Sequence, residues 1–223
     1  MPTTPDETNN RRPLKVRSAS FAKNFASWLS QKNITPNQIS LTSVLFGLLA
    51  AICLLFVPRA TVFFPTLFLI LAALFIQGRL LCNLFDGMVA VEGGKSTAAG
   101  ELFNDIPDRI ADPLIIVATG YAIADVSWGA ELGWFTALLS VMTAYIRTLA
   151  ASIGAPTNFA GPMAKQHRMA IVTIGCVITA AERLLCQSSY ALLVVLIIIA
   201  VGCIITLYRR TVSAYNYLEN KVE

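Results

Sequence analysis

Two short groups of oxygen-bearing side chains stand out in the middle of the chain. Asn83 and Asp86 are three residues apart, and Asn104, Asp108 and Asp112 repeat every four. On helices the first pair shares a face and the second group forms a stripe. Gly93-Gly94 between them supplies a reversal, so the two stripes can face each other on adjacent antiparallel helices. Carboxylates and amide carbonyls gathered in this way are hard donors that suit Mg²⁺, Mn²⁺ or Ca²⁺, and a hydrated Mg²⁺ most often meets substrate phosphates. The plainer alternative is a polar loop whose acids are solvated.

A second group is cationic. Arg147 lies inside an apolar run, and Gly161-Pro162-Met163-Ala164-Lys165-Gln166-His167-Arg168 follows it. Together Arg147, Lys165 and Arg168 could hold a phosphate of an acceptor or a donor pyrophosphate. For Lys165 and Arg168 the alternative is a purely topological role. His167, the only histidine, has no second histidine to share a metal and reads as a hydrogen-bonding loop residue.

The elements that position these groups are membrane spans. Of 223 residues 56% are hydrophobic and only 13% charged, with a mean hydropathy of +0.64, against about a quarter charged in an ordinary soluble domain. The apolar residues form runs over 39–57, 61–84, 110–126, 134–153, 169–185 and 190–208, each long enough to cross ~30 Å of hydrocarbon as a helix. The expectation is an all-α, polytopic protein with six transmembrane helices. Ionisable residues within or abutting such spans are usually functional, which favours a site over a solvated loop.

Six spans put both termini on one side. That side carries Arg11, Arg12, Lys15, Arg17, Lys23, Lys32, Lys95, Lys165, Arg168, Arg209, Arg210 and Lys221, whereas the opposite loops carry only Arg59 and Arg183. The positive-inside rule therefore places both termini in the cytoplasm. Residues 14–29, with Phe21, Phe25, Trp28 and Leu29 among lysines and arginines, read as an amphipathic helix lying in the headgroup plane. The first thirty residues are polar and basic, unlike a cleaved signal peptide. Five cysteines without metal-ligand spacing read as apolar packing residues rather than a disulfide framework.

The segment from Asn83 to Asp108 resembles the signature of the CDP-alcohol phosphatidyltransferase family: Asp-x2-Asp-Gly-x2-Ala-Arg, eight residues, then Gly-x3-Asp-x3-Asp. Asp86, Gly87, Ala90, Gly100 and Asp108 fall in register with the eight-residue gap intact, and Thr35-Pro36-Asn37 before the first span is also similar. Asn83 and Asn104 stand at the first and third Asp positions, and Val91 replaces the Arg. An amide oxygen can still ligate a metal.

This resemblance implies an integral enzyme of the bacterial inner membrane that makes phospholipid. It would move a phosphatidyl or phospho-alcohol group from a CDP-linked donor, CDP-diacylglycerol first among them, to a small hydroxyl acceptor, free or phosphorylated, and release CMP. It also implies one or two Mg²⁺ or Mn²⁺ ions on Asn83, Asp86, Asn104 and Asp108. Asp108 would be the general base, the nucleotide would lie against Asp86, Gly87, Ala90 and Gly100, and the protein would form a homodimer with no nucleic-acid partner. The expected organisation is a cytoplasmic tail over 1–34, a membrane domain over 35–210 and a tail over 211–223. Two other readings stand beside it. One is a catalytically silent relative that binds nucleotide or lipid, motivated by the two asparagines. The other is a small transporter, disfavoured because its acids would lie at one interface and not at the midplane.

Overall fold

In a computed structural model of the chain, residues 20–59, 64–95, 99–185 and 188–220 are described. They form seven α-helices and no strand: α1 (Ser20–Gln31), α2 (Pro36–Phe56, closed by a 3₁₀ turn at Val57–Arg59), α3 (Phe64–Glu92), α4 (Gly100–Ala122), α5 (Gly129–Ser152), α6 (Lys165–Leu185) and α7 (Tyr190–Glu219). The six longer helices close a ring. Consecutive pairs α2–α3, α4–α5 and α6–α7 pack as hairpins, and the ring is completed by α2 on α4, α3 on α6 and α5 on α7.

Local chemistry sets the ends that matter. Thr35 accepts from the Gln38 backbone N–H at 3.3 Å while Gln38 accepts from the Thr35 N–H at 3.0 Å. With Pro36 in the first turn, this capping box fixes where α2 begins. Helix α3 ends on a Schellman motif: the Lys95 N–H donates to the Ala90 carbonyl and the Gly94 N–H to the Val91 carbonyl, with Gly94 at φ +62°. Helices α4 and α5 cross closely. A Cβ on Gly120 would lie 2.6 Å from the Gly129 carbonyl oxygen and 2.8 Å from the Gly133 Cα, so small residues are required there.

The outside of the ring is apolar and the inside holds charge. Leu41, Leu45, Leu48, Ile52 and Phe56 point outward from α2, and Val194, Ile197, Ile198, Val201, Ile204 and Ile205 from α7. By contrast Arg79, Asp86, Asp108, Asp112, Arg168 and Arg210 are buried. An outward apolar surface around an inward polar cluster is the arrangement that hydrocarbon selects. Among the described residues four helices, covering Pro36–Arg59, Phe64–Val91, Gly129–Ser152 and Tyr190–Glu219, are long and apolar enough to cross a membrane. Helices α4 and α6 occupy equivalent ring positions with more charge.

The helices outrun the hydropathy of the sequence. Helix α3 continues past residue 84 to Glu92, and α7 past 208 to Glu219, through the boundary expected at 210. At the N-terminus α1 begins at Ser20; residues 14–19 of the expected amphipathic helix lie outside the described residues. Ala22, Ala26 and Leu29 of α1 pack on Leu84, Phe85, Met88 and Val89 of α3, while Phe21 and Trp28 stay exposed. Phe25 stacks on Trp28 and meets Phe85 at 4.6 Å between ring centroids.

Candidate active site

Helices α3 and α4 touch where the acids of the sequence motif lie. Helix α2 packs along both, and brings Ser40 to the same place. The Ser40 hydroxyl donates to Asp86 Oδ2 at 2.7 Å, and the Gly87 N–H donates to Asp86 Oδ1 at 2.5 Å. Asp108 Oδ1 accepts from Arg79 Nη2 and from Asn83 Nδ2, both at 2.7 Å. Asp108 Oδ2 accepts from the Lys165 ammonium.

One helical turn further along α4, Asp112 contacts the same Arg79 Nη2 at 2.6 Å and Arg168 Nη2 at 3.4 Å. Arg168 also donates to the Met163 carbonyl at 3.0 Å and to Thr143 Oγ1 at 3.3 Å. Nearby, Arg210 donates to the carbonyls of Thr143 and Ala160, tying α7 to α5 and to the connection before α6. At the partly exposed rim, Asp105 takes Arg109 at 2.8 Å and Arg147 at 3.1 Å, and Arg147 lies over the Phe159 ring at 5.8 Å.

The acidic and cationic groups of the sequence are therefore one constellation. Along α4, Asp105, Asp108 and Asp112 face Arg147, Lys165 and Arg168 in that order. Arg168, which the sequence leaves open to a topological role, is a buried tie between α4, α5 and the loop. His167 donates from Nδ1 to the Pro162 carbonyl at 2.7 Å, a contact to the loop as expected. Asn104 is exposed at the outer edge of the stripe, and Gly87, Ala90 and Gly100 are half-buried on α3 and α4.

Sequence reading passed over Arg79 and Ser40. Arg79 is fully buried and touches both Asp108 and Asp112. Its signal was present: it lies four residues before Asn83 and seven before Asp86, on the same helix face, inside an otherwise apolar run.

The donor set fits one divalent cation in kind. Asp86 and Asp108 are buried carboxylates on facing helices, with Asn83 between them, and Mg²⁺ commonly takes one or two carboxylates and fills its shell from water and substrate phosphate. Among the described residues no three His, Cys, Asp or Glu side chains group closely enough to hold a metal by themselves. The cations on Asp108 and Asp112 take part of the acids' capacity.

No family model matches the chain. It is 30% identical to the inner membrane protein YnbA of Escherichia coli strain K12 over 145 residues, which is 65% of this chain and 67% of that protein. The chain belongs to the YnbA family. Like that relative, and with its apolar exterior, this YnbA relative is an integral membrane protein. Its fold is that of the phosphatidylinositol phosphate synthase of Mycobacterium tuberculosis. The structure of that enzyme with CDP-DAG bound superposes with a TM-score of 0.71 at 21% identity, covering 88% of this chain and 94% of the other. The same enzyme in complex with manganese and citrate gives 0.71 and 21%, over 87% and 88%.

Proposed function

We propose that this protein is a CDP-alcohol phosphatidyltransferase that moves a phosphatidyl group from a CDP-linked donor, CDP-diacylglycerol first among them, to a small hydroxyl acceptor. One observation carries the reading. Asp86 and Asp108, at the spacing of the family signature, converge in a buried polar cluster within a fold shared with a synthase solved with CDP-DAG bound. In this reading α4 and α6 complete six membrane-crossing helices, the membrane domain spans about 35–210, and α1 lies in the interface with Phe21 and Trp28 toward lipid. The basic residues at the site end favour the cytoplasmic side of a bacterial inner membrane for that end and for both termini. A homodimer follows from the family resemblance alone.

Chemically, the acceptor oxygen attacks the lipid-bearing phosphorus of the donor, the bond to the CMP oxygen breaks, and CMP leaves with the bonding pair. Asp108 takes the acceptor's proton. A carboxylate offers about four lone-pair sites, and Arg79, Asn83 and Lys165 use three of those on Asp108, which leaves one on Oδ2 for a metal and a second there for the proton once the partly exposed Lys165 ammonium turns to the substrate phosphate. A bound Mg²⁺ or Mn²⁺, held by Asp86 and Asp108 with Asn83 and Asn104 alongside, would supply the charge that neutralises the pyrophosphate. Gly87, Ala90 and Gly100 leave room for the nucleotide against the backbone. At the rim, Arg147 binds an anionic group of the acceptor, with Lys165 next to the reacting phosphate and Arg168 behind it. This set of cations favours phosphorylated acceptors.

The test is CMP release by purified protein from CDP-diacylglycerol against a panel of free and phosphorylated alcohols, with and without chelator. Metal-dependent release with one acceptor is expected. The ion pairs on Asp108 favour a second reading, a silent relative; tight nucleotide binding with no release for any acceptor would establish it and overturn the first.

A further inference from the structure

The three buried acids and the cations around them balance in number, while Arg210, also buried, donates to backbone carbonyls. Asp86, Asp108 and Asp112 are matched by Arg79, Lys165 and Arg168, and every one but Lys165 is nearly or fully buried. Arg79 is central. Its Nη2 lies between the acids at 2.7 and 2.6 Å, it is fully buried, and its Nε and Nη1 have no hydrogen-bond partner among the described residues. At Asn83 the residue next to it on the same face is an amide, which donates to Asp108 and adds no charge.

We propose that Arg79 is a built-in counter-cation that limits this site to one divalent ion, a proposal that rests on the metal-dependent transferase reading above. A first ion adds two charges to a balanced cluster, which the two negative charges of a pyrophosphate offset. A second would add two more with no carboxylate to meet them, and uncompensated buried charge is strongly disfavoured. It would also need Asp108, whose Oδ1 already holds the guanidinium. That guanidinium belongs to a fully enclosed side chain and has no exposed position to swing into. Arg79 thus stands where a second ion would bring charge.

The two asparagines alone offer a competing account: the site binds fewer ions only because two acids are missing. The accounts part on Asn83→Asp with Arg79 retained. Purified protein in nanodiscs is equilibrated with Mn²⁺, bound ion is counted by elemental analysis, and electron paramagnetic resonance distinguishes isolated from spin-coupled pairs. Expected are one uncoupled Mn²⁺ per chain in the wild type and still one in Asn83→Asp. Two coupled ions are expected in Asn83→Asp combined with Arg79→Gln, and one when Arg79→Lys replaces the Gln change. Two ions in the wild type, or in Asn83→Asp alone, overturn the proposal, and neither arm requires Arg79 to be altered. An Arg79→Gln double variant that folds, by size-exclusion profile, and still binds one ion also overturns it. Failure of the underlying reading looks different: no Mn²⁺ bound at any concentration, together with no CMP release.

Discussion

Replacing Asp108 by Asn removes the proposed base and one charge while keeping the side chain's shape. In the wild type, Asp108 accepts from Arg79, Asn83 and Lys165. An amide there keeps one oxygen, but its NH₂ must turn toward at least one of these donors, so one acceptor site becomes a donor facing a donor. Loss of a general base lowers kcat by roughly 10²–10⁴, or about 3–5 kcal/mol of barrier. The fold suffers less. Arg79 retains Asp112, and Lys165 is partly exposed and can return to water. A stability loss of about 2 kcal/mol is therefore expected, one hydrogen bond to a charged group, below the ~3–5 kcal/mol of a fully broken buried pair. CMP release, nucleotide binding and thermal unfolding in detergent measure the three effects separately. Release at the wild-type rate from a folded Asp108→Asn variant would refute the assignment, and Asp105 or Asp112 would be next to examine.

Three further variants separate substrate contacts from struts. Arg147→Ala removes a partly exposed cation held, among the described residues, by Asp105 and the Phe159 ring; acceptor KM should rise by roughly 10- to 100-fold, the worth of a charge-assisted bond, with an unchanged melting temperature. Arg168→Met, in contrast, strands the buried Asp112 against Arg79 alone and frees the Met163 carbonyl, so a loss of about 3–5 kcal/mol in stability is expected by thermal unfolding. Gly120→Ala forces a methyl group into the α4–α5 crossing and should cost about 1–3 kcal/mol by the same measurement, with the KM of the folded fraction unaltered.

Apolar runs placed all six ring helices, because hydropathy and length report on hydrocarbon burial directly. They failed at the site end for a physical reason. Asn83 and Asp86 end the hydropathic run at residue 84, yet the helix continues until Gly94 adopts its left-handed conformation. The Thr35-Pro36-Asn37 stretch, noticed for its resemblance, proved to be the start of a capping box that sets the register of Ser40 against Asp86. Motif spacing singled out Asp86 on α3 and Asp108 and Asp112 on α4, since spacing within each helix carries that information. It could not pair Asp108 with Lys165 or Asp112 with Arg168, which depends on α6 closing against α4. Arg79 was hidden by averaging: one guanidinium among apolar neighbours barely changes a window, although its spacing to Asn83 placed it on the motif face.

The connectivity of these ion pairs also bears on biogenesis. A ribosome delivers the chain from its N-terminus, so Arg79 has already emerged when Asp108 appears 29 residues later. Lys165 follows Asp108 by 57 residues and Arg168 follows Asp112 by 56. In the proposed six-span arrangement, the guanidinium on the preceding helix is the only one of these three cations already made when α4 and its two buried acids enter lipid. Arg79 would then accompany the most charged helix of the ring into the bilayer before the rest of the cluster has been synthesised.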